Sequence, residues 1–100
     1  MPKIFEYFGL VFFFYANEHL PVHVHVSKAE FESKIELIFE NGKLKDCIAK
    51  EVNGRPPLPG KELKEALKFV QAFALNIADK WQDFFVLNKR VNCEIITKKL

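Results

Sequence analysis

Apolar and polar residues alternate most regularly in the stretch HLPVHVHV, residues 19–26. A strand there would turn Val22, Val24 and Val26 to one face and His23 and His25 to the other. The pattern repeats downstream, where Phe31, Ser33, Ile35, Leu37 and Phe39 share one side and Glu32, Lys34 and Glu36 the other. A short link, Ser27 to Glu30, separates the two runs and predicts a β-hairpin. Setting Val26 opposite Phe31 keeps the apolar groups together. That register puts His25 against Glu32 and His23 against Lys34.

The flanking segments extend the sheet. Residues 3–15 are mostly β-branched or aromatic, with Gly9 marking a bulge or tight bend between two short strands, or within one bent strand. The unbroken run LVFFFY, residues 10–15, has the character of a central strand covered on both faces. Asn41-Gly42 is a hairpin turn signal leading into KLKDCIAKEV, a further antiparallel strand, expected to be bulged because its alternation slips at Cys47 or Ile48. The loop NGRPPLPG, residues 53–60, leaves the sheet. Beyond it Leu63, Leu67, Val70, Ala74, Ile77, Trp81 and Phe84 recur at three- and four-residue steps, the stripe of one long helix reaching Phe85. VNCEIITKKL predicts a final strand, or an arm that pairs with another chain's edge.

These elements give an α+β class: an antiparallel sheet of four to five strands with one long C-terminal helix on its apolar face. At 100 residues the chain reads as a single domain, residues 1–100, and eleven phenylalanines supply its core. The formal charge of +2 does not suggest a dedicated nucleic-acid binder. The basic excess sits in the tail, where Lys89, Arg90, Lys98 and Lys99 face only Glu94, so these four are the candidate phosphate contacts. Two cysteines without CxxC spacing predict free thiols in a reducing cytoplasm. No stretch has the length of a membrane span or the layout of a signal peptide, and no cofactor motif occurs.

All three histidines, His19, His23 and His25, fall in the opening stretch. As bland surface groups they would fill the solvent side of a strand. As chemistry they offer three alternatives. His23 and His25 share a face and can share a ligand with Glu32 and Lys34. Together with His19 they can hold a metal ion. With Tyr15 in support they can move protons in a small metal-independent ribonuclease.

The residues Met1, Pro2, Ile4, Gly9 and Tyr15, then Asn17-Glu18-His19, Pro21 and His23-Val24-His25-Val26, resemble the opening motif of a bacterial family, the domain of unknown function 4160. Trp81, near the end of the helix, is similar too, and Val22 departs from the proline or isoleucine many members carry there. The resemblance spans nearly the whole chain. It implies no agreed activity. It does imply a protein–protein module, one partner of a toxin–antitoxin-like pair whose other member is a small protein encoded by a neighbouring gene. An edge strand or C-terminal arm would also allow a homo-oligomer.

Overall fold

The computed structural model describes residues 2–100. Six strands form one sheet: β1 (Lys3–Tyr7), β2 (Leu10–Phe13), β3 (His23–Lys28), β4 (Phe31–Glu40), β5 (Lys43–Glu51) and β6 (Glu94–Ile96). Their order is β5-β4-β3-β2-β1-β6. Neighbours from β1 to β5 are antiparallel, and β6 lies parallel to β1. The sheet is therefore larger than the four to five strands expected. The tail forms the predicted final strand, its backbone paired with β1 of the same chain.

Tight turns set the registers. Phe8-Gly9 and Asn41-Gly42 each have positive φ at both residues (44° and 87°, 53° and 78°), the geometry that matches strand twist in a two-residue hairpin. The β3–β4 hairpin also turns on two residues, Ala29 and Glu30, fewer than the predicted link. The shorter turn shifts the pairing by two positions, so that His25 opposes Lys34, His23 opposes Glu36 and Ser27 opposes Glu32. A shift of two preserves every face, whereas a shift of one would have exchanged valines for histidines. β5 is bulged, but at Lys45, which is skipped between the partners of Ile38 and Phe39, ahead of the slip expected at Cys47 or Ile48.

One face of the sheet carries the helices. The predicted single helix is instead α1 (Gly60–Ala72) and α2 (Ala74–Trp81), followed by a π-helical turn over Gln82–Val86. The bend is at Phe73, where the backbone departs to φ −109° and ψ 21°. The amide of Phe73 still donates to the Phe69 carbonyl, and that of Ile77 to Phe73. No proline or glycine is present there; the ring of Phe73 instead stacks on Phe69 at 4.5 Å and tilts against Phe5 at 5.4 Å. Phe69 is the hub of the core, stacked on Phe12 at 4.6 Å and edge-on to Phe5 at 5.4 Å. Val24, Val26, Ile35 and Leu37 complete this layer from the central strands, all buried. Burying each such side chain contributes about 1.5–3 kcal/mol.

The loop after β5 also packs down. Its Pro56 carbonyl accepts from the Glu32 amide, and the Leu58 amide donates to Ser33 Oγ at 3.1 Å. No helix among the described residues is long and apolar enough to cross a membrane.

Candidate functional site

The second face of the sheet is not a solvated surface at β3. His23 and His25 are 4% and 5% exposed, nearly as buried as Val24 between them. Position 25 is enclosed by its own strand neighbours: the His25 ring stacks on Phe13 of β2 at 5.6 Å, and Tyr15 meets it edge-on at 4.4 Å. His23 lies at the start of β3, its ring 5.5 Å from His25 and 4.9 Å from Trp81 at the end of α2. The connection between β2 and β3 folds back over this pair. It brings down Glu18, not His19, whose side chain is exposed. The Leu20–Pro21 peptide in that connection is cis.

Three groups hold the imidazoles: the Pro21 carbonyl, Glu18 and Glu32. His23 Nδ1 lies 2.8 Å from the Pro21 carbonyl. A carbonyl only accepts, so Nδ1 carries the proton and a neutral ring presents its lone pair at Nε2. That nitrogen is buried and has no hydrogen-bond partner among the described residues. Glu18 Oε2 is only 3.0 Å away, close enough for an ion pair, but off the direction a ring N–H would need. His25 is held on the other side, with Nδ1 3.1 Å from Glu32 Oε2 and Nε2 against Glu18 Oε1. The ligating atoms of Glu18, His23 and His25 all lie within 4.8 Å of one another.

Glu32 anchors the outer layer. It is 1% exposed, and an ionised carboxylate so buried needs donors on every side. Tyr15 donates its hydroxyl to Oε2 at 3.0 Å and Arg55 donates Nη1 to Oε1 at 3.3 Å. The remaining guanidinium nitrogens tie Arg55 to the β3–β4 turn, with Nε donating to the Glu30 carbonyl at 2.9 Å and Nη2 to that of Ala29 at 3.0 Å.

Electrostatics follow from this packing. Burial pushes the His25 pKa down, and Glu18 and Glu32 only partly offset it. Partial burial works against the Glu18 carboxylate, but the two imidazoles together outweigh it and hold its pKa below the ordinary value. Tyr15 is pushed up, first by burial and then by its bond to Glu32.

The structure thus brings together His23, His25, Tyr15 and Glu32 from the sequence-derived set. Glu32 reaches His25 diagonally, from two residues along the hairpin, and not as the directly opposed partner expected. His19 does not join them. Nor does Lys34, whose ammonium lies beside Glu36 at 3.9 Å. The four tail cations do not form one patch. Lys89 and Arg90 precede β6, whereas Lys99 follows it, near Glu65 at 3.8 Å and over the Phe8 ring at 4.8 Å. Lys98 is exposed beside it. Two site residues had no place in the sequence-derived set. Glu18 stands inside the quoted motif, where its position next to His19 marked it. Arg55 comes from the proline-rich loop and carries no local signal.

A family model described as "Domain of unknown function (DUF4160)" matches residues 9–82, a stretch that includes all of Tyr15, Glu18, His23, His25, Glu32 and Arg55. No curated protein matches the chain. No solved structure matches it.

Proposed function

Since the chain belongs to the DUF4160 family, whose description assigns no activity, we propose from the site itself that it binds a divalent transition-metal ion through Glu18, His23 and His25. The observation that carries this reading is the buried, unpartnered Nε2 of His23, aimed into the space it shares with His25 Nε2 and the Glu18 carboxylate. Both Nδ1 atoms already have outer partners, a carbonyl for His23 and a carboxylate for His25. This arrangement orients metal-bound imidazoles and raises their basicity. Two imidazoles and one carboxylate suit zinc or ferrous iron and leave further coordination positions for water or a substrate.

The charges around the rings favour a cation. Two carboxylates, Glu18 and Glu32, face the pair, while the nearest guanidinium is spent on Glu32. A phosphodiester would be repelled by that surface unless a metal ion stood between, which weighs against a metal-independent ribonuclease. Calorimetric titration of chelator-treated protein lacking a histidine tag tests the proposal. One zinc or ferrous ion per chain is expected, with binding lost in His23→Ala plus His25→Ala. Absence of saturable binding by folded protein at micromolar concentration would reject it.

A second reading is supported by a separate feature. Among the described residues β5 pairs only with β4, so one side of this exposed strand is open for another chain to add a strand. On this reading the protein is an interaction module, one half of a toxin–antitoxin-like pair with the product of a neighbouring gene. Copurification of that product tests it, and failure to bind at micromolar concentration removes it.

A further inference from the structure

The end of the sheet that holds the histidines also holds a cavity. β3 begins there with His23 opposite the exit of β2, and β6 runs parallel to β1, so the residues entering β6 return to the same end. The cavity measures about 360 Å³ and is lined by Ala16, Phe84, Phe85, Asn88, Lys89 and Arg90. We propose that it takes a phosphate-bearing planar ring: a nucleotide, free or within a single strand.

The two walls differ in chemistry. One is aromatic. The π-helical turn widens the backbone at Gln82–Val86 and presents consecutive phenylalanines, Phe84 and Phe85, edge to face at 4.7 Å. Both remain only partly buried although they pack on Phe14. The other wall is cationic. Lys89 and Arg90 are adjacent and exposed, and neither forms an ion pair among the described residues. The neighbouring Lys80, by contrast, is paired with Glu94 at 2.9 Å. The turn itself is fixed: the Lys89 amide donates to the Asp83 carbonyl at 2.7 Å, and Asn88 takes a left-handed φ of 54°.

A phosphate alone has no use for the aromatic wall, and an uncharged ring none for the cations. A nucleotide uses both, its phosphate on Lys89 and Arg90 and its base on a phenylalanine face. The volume lies at the lower end of small-ligand pockets, which suits one nucleotide. Two aromatic rings connect the cavity to the candidate centre. Phe85 packs on Trp81 at 4.2 Å, Trp81 meets His23 at 4.9 Å, and Ala16 belongs to the loop that carries Glu18. The cavity shares no lining residue with Glu18, His23 and His25, so ligand binding here does not require a metal ion.

Trp81 is the only tryptophan, so its emission reports on Phe85. The full chain is titrated at low salt with adenosine monophosphate, a short single-stranded oligoadenylate, inorganic phosphate and adenosine. Saturable binding of the monophosphate is expected, at least tenfold tighter than phosphate or adenosine alone. Lys89→Gln plus Arg90→Gln should weaken it at least tenfold with an unchanged unfolding midpoint, and Arg90→Lys should weaken it less. An oligonucleotide bound tenfold tighter than the monophosphate assigns a strand as the ligand; equal affinity assigns the free nucleotide. No saturable binding of either at millimolar concentration, phosphate binding as tightly as the monophosphate, or binding indifferent to the double substitution would overturn the proposal.

Discussion

Arg55 and Glu32, far apart in sequence, meet at 3.3 Å, and the guanidinium that neutralises this buried carboxylate also grips the Glu30 and Ala29 carbonyls of the β3–β4 turn. Arg55→Ala should therefore cost both stability and site geometry. Glu32 would keep Tyr15 and His25 but lose its nearest fixed positive charge. Breaking a fully buried pair costs about 3–5 kcal/mol. Arg55 is partly exposed, so about 1–2 kcal/mol is expected here. Urea denaturation of Arg55→Ala and Arg55→Lys checks this. Lysine cannot reach three acceptors with one fork and should recover only part of the loss.

Glu32→Gln keeps the shape of the site and removes its outer charge. The fold should survive, because the residue makes its bonds on the face away from the helices. Zinc affinity should fall about 10- to 100-fold, the usual effect of losing the carboxylate behind a ligating imidazole. Titration calorimetry on both proteins measures it, and equal affinities would mean that Glu32 does not orient His25.

Acid should destabilise the metal-free protein in two steps. His25 has a folded pKa below its ordinary value of 6.5, so the unfolded chain takes the proton first. Its contribution is present above pH 6.5 and is lost as pH falls through the lower folded value. Glu18 is also lowered, from 4.5, and its contribution is lost further into acid. Denaturant midpoints measured from neutral pH downwards should fall monotonically. In His25→Gln the upper part of that slope should flatten.

Ala29 has φ 55° in the two-residue turn between β3 and β4. A left-handed conformation costs a residue with a Cβ about 1–2 kcal/mol, partly offset by the extra freedom glycine has when unfolded. Ala29→Gly should raise stability by about 0.5–1 kcal/mol, read as a higher thermal midpoint. The carbonyl that accepts from Arg55 belongs to the backbone and is retained.

Phe69→Ala tests the core. The ring contacts Phe5, Tyr7, Phe12 and Phe73 and is fully buried. Its removal should cost about 3–5 kcal/mol, a large part of a small domain's total. Denaturant unfolding followed by Trp81 emission measures it.

Period-two alternation placed the histidines and valines on opposite faces of β3, and burial in both directions was legible at β2 from its unbroken apolar run. The helix bend was not legible. Phe69, Val70, Ala74, Ile77 and Trp81 keep helical spacing straight through Phe73, so the stripe continues where the axis does not. The register of β3 against β4 depended on whether the turn used two residues or four, and both lengths keep the same faces. Glu18 lay within the motif, but its inward orientation was not legible. Which residue of a loop points inward depends on the loop's path, and a neighbouring histidine offered a more obvious ligand. Arg55 joins the site through a contact between distant segments, which no local pattern encodes.

The parallel pairing of β6 with β1 orders the making of this molecule in time. β1 leaves the ribosome before β6 and finds β2 at once, but its outer edge stays bare while everything up to Glu94 is synthesised. During that interval the nascent chain offers a strand edge to any neighbour. A chain shortened before Glu94 would keep it permanently. Loss of three short-paired residues would then show up as sticking between ribosomal products before it showed up as any change in the histidines.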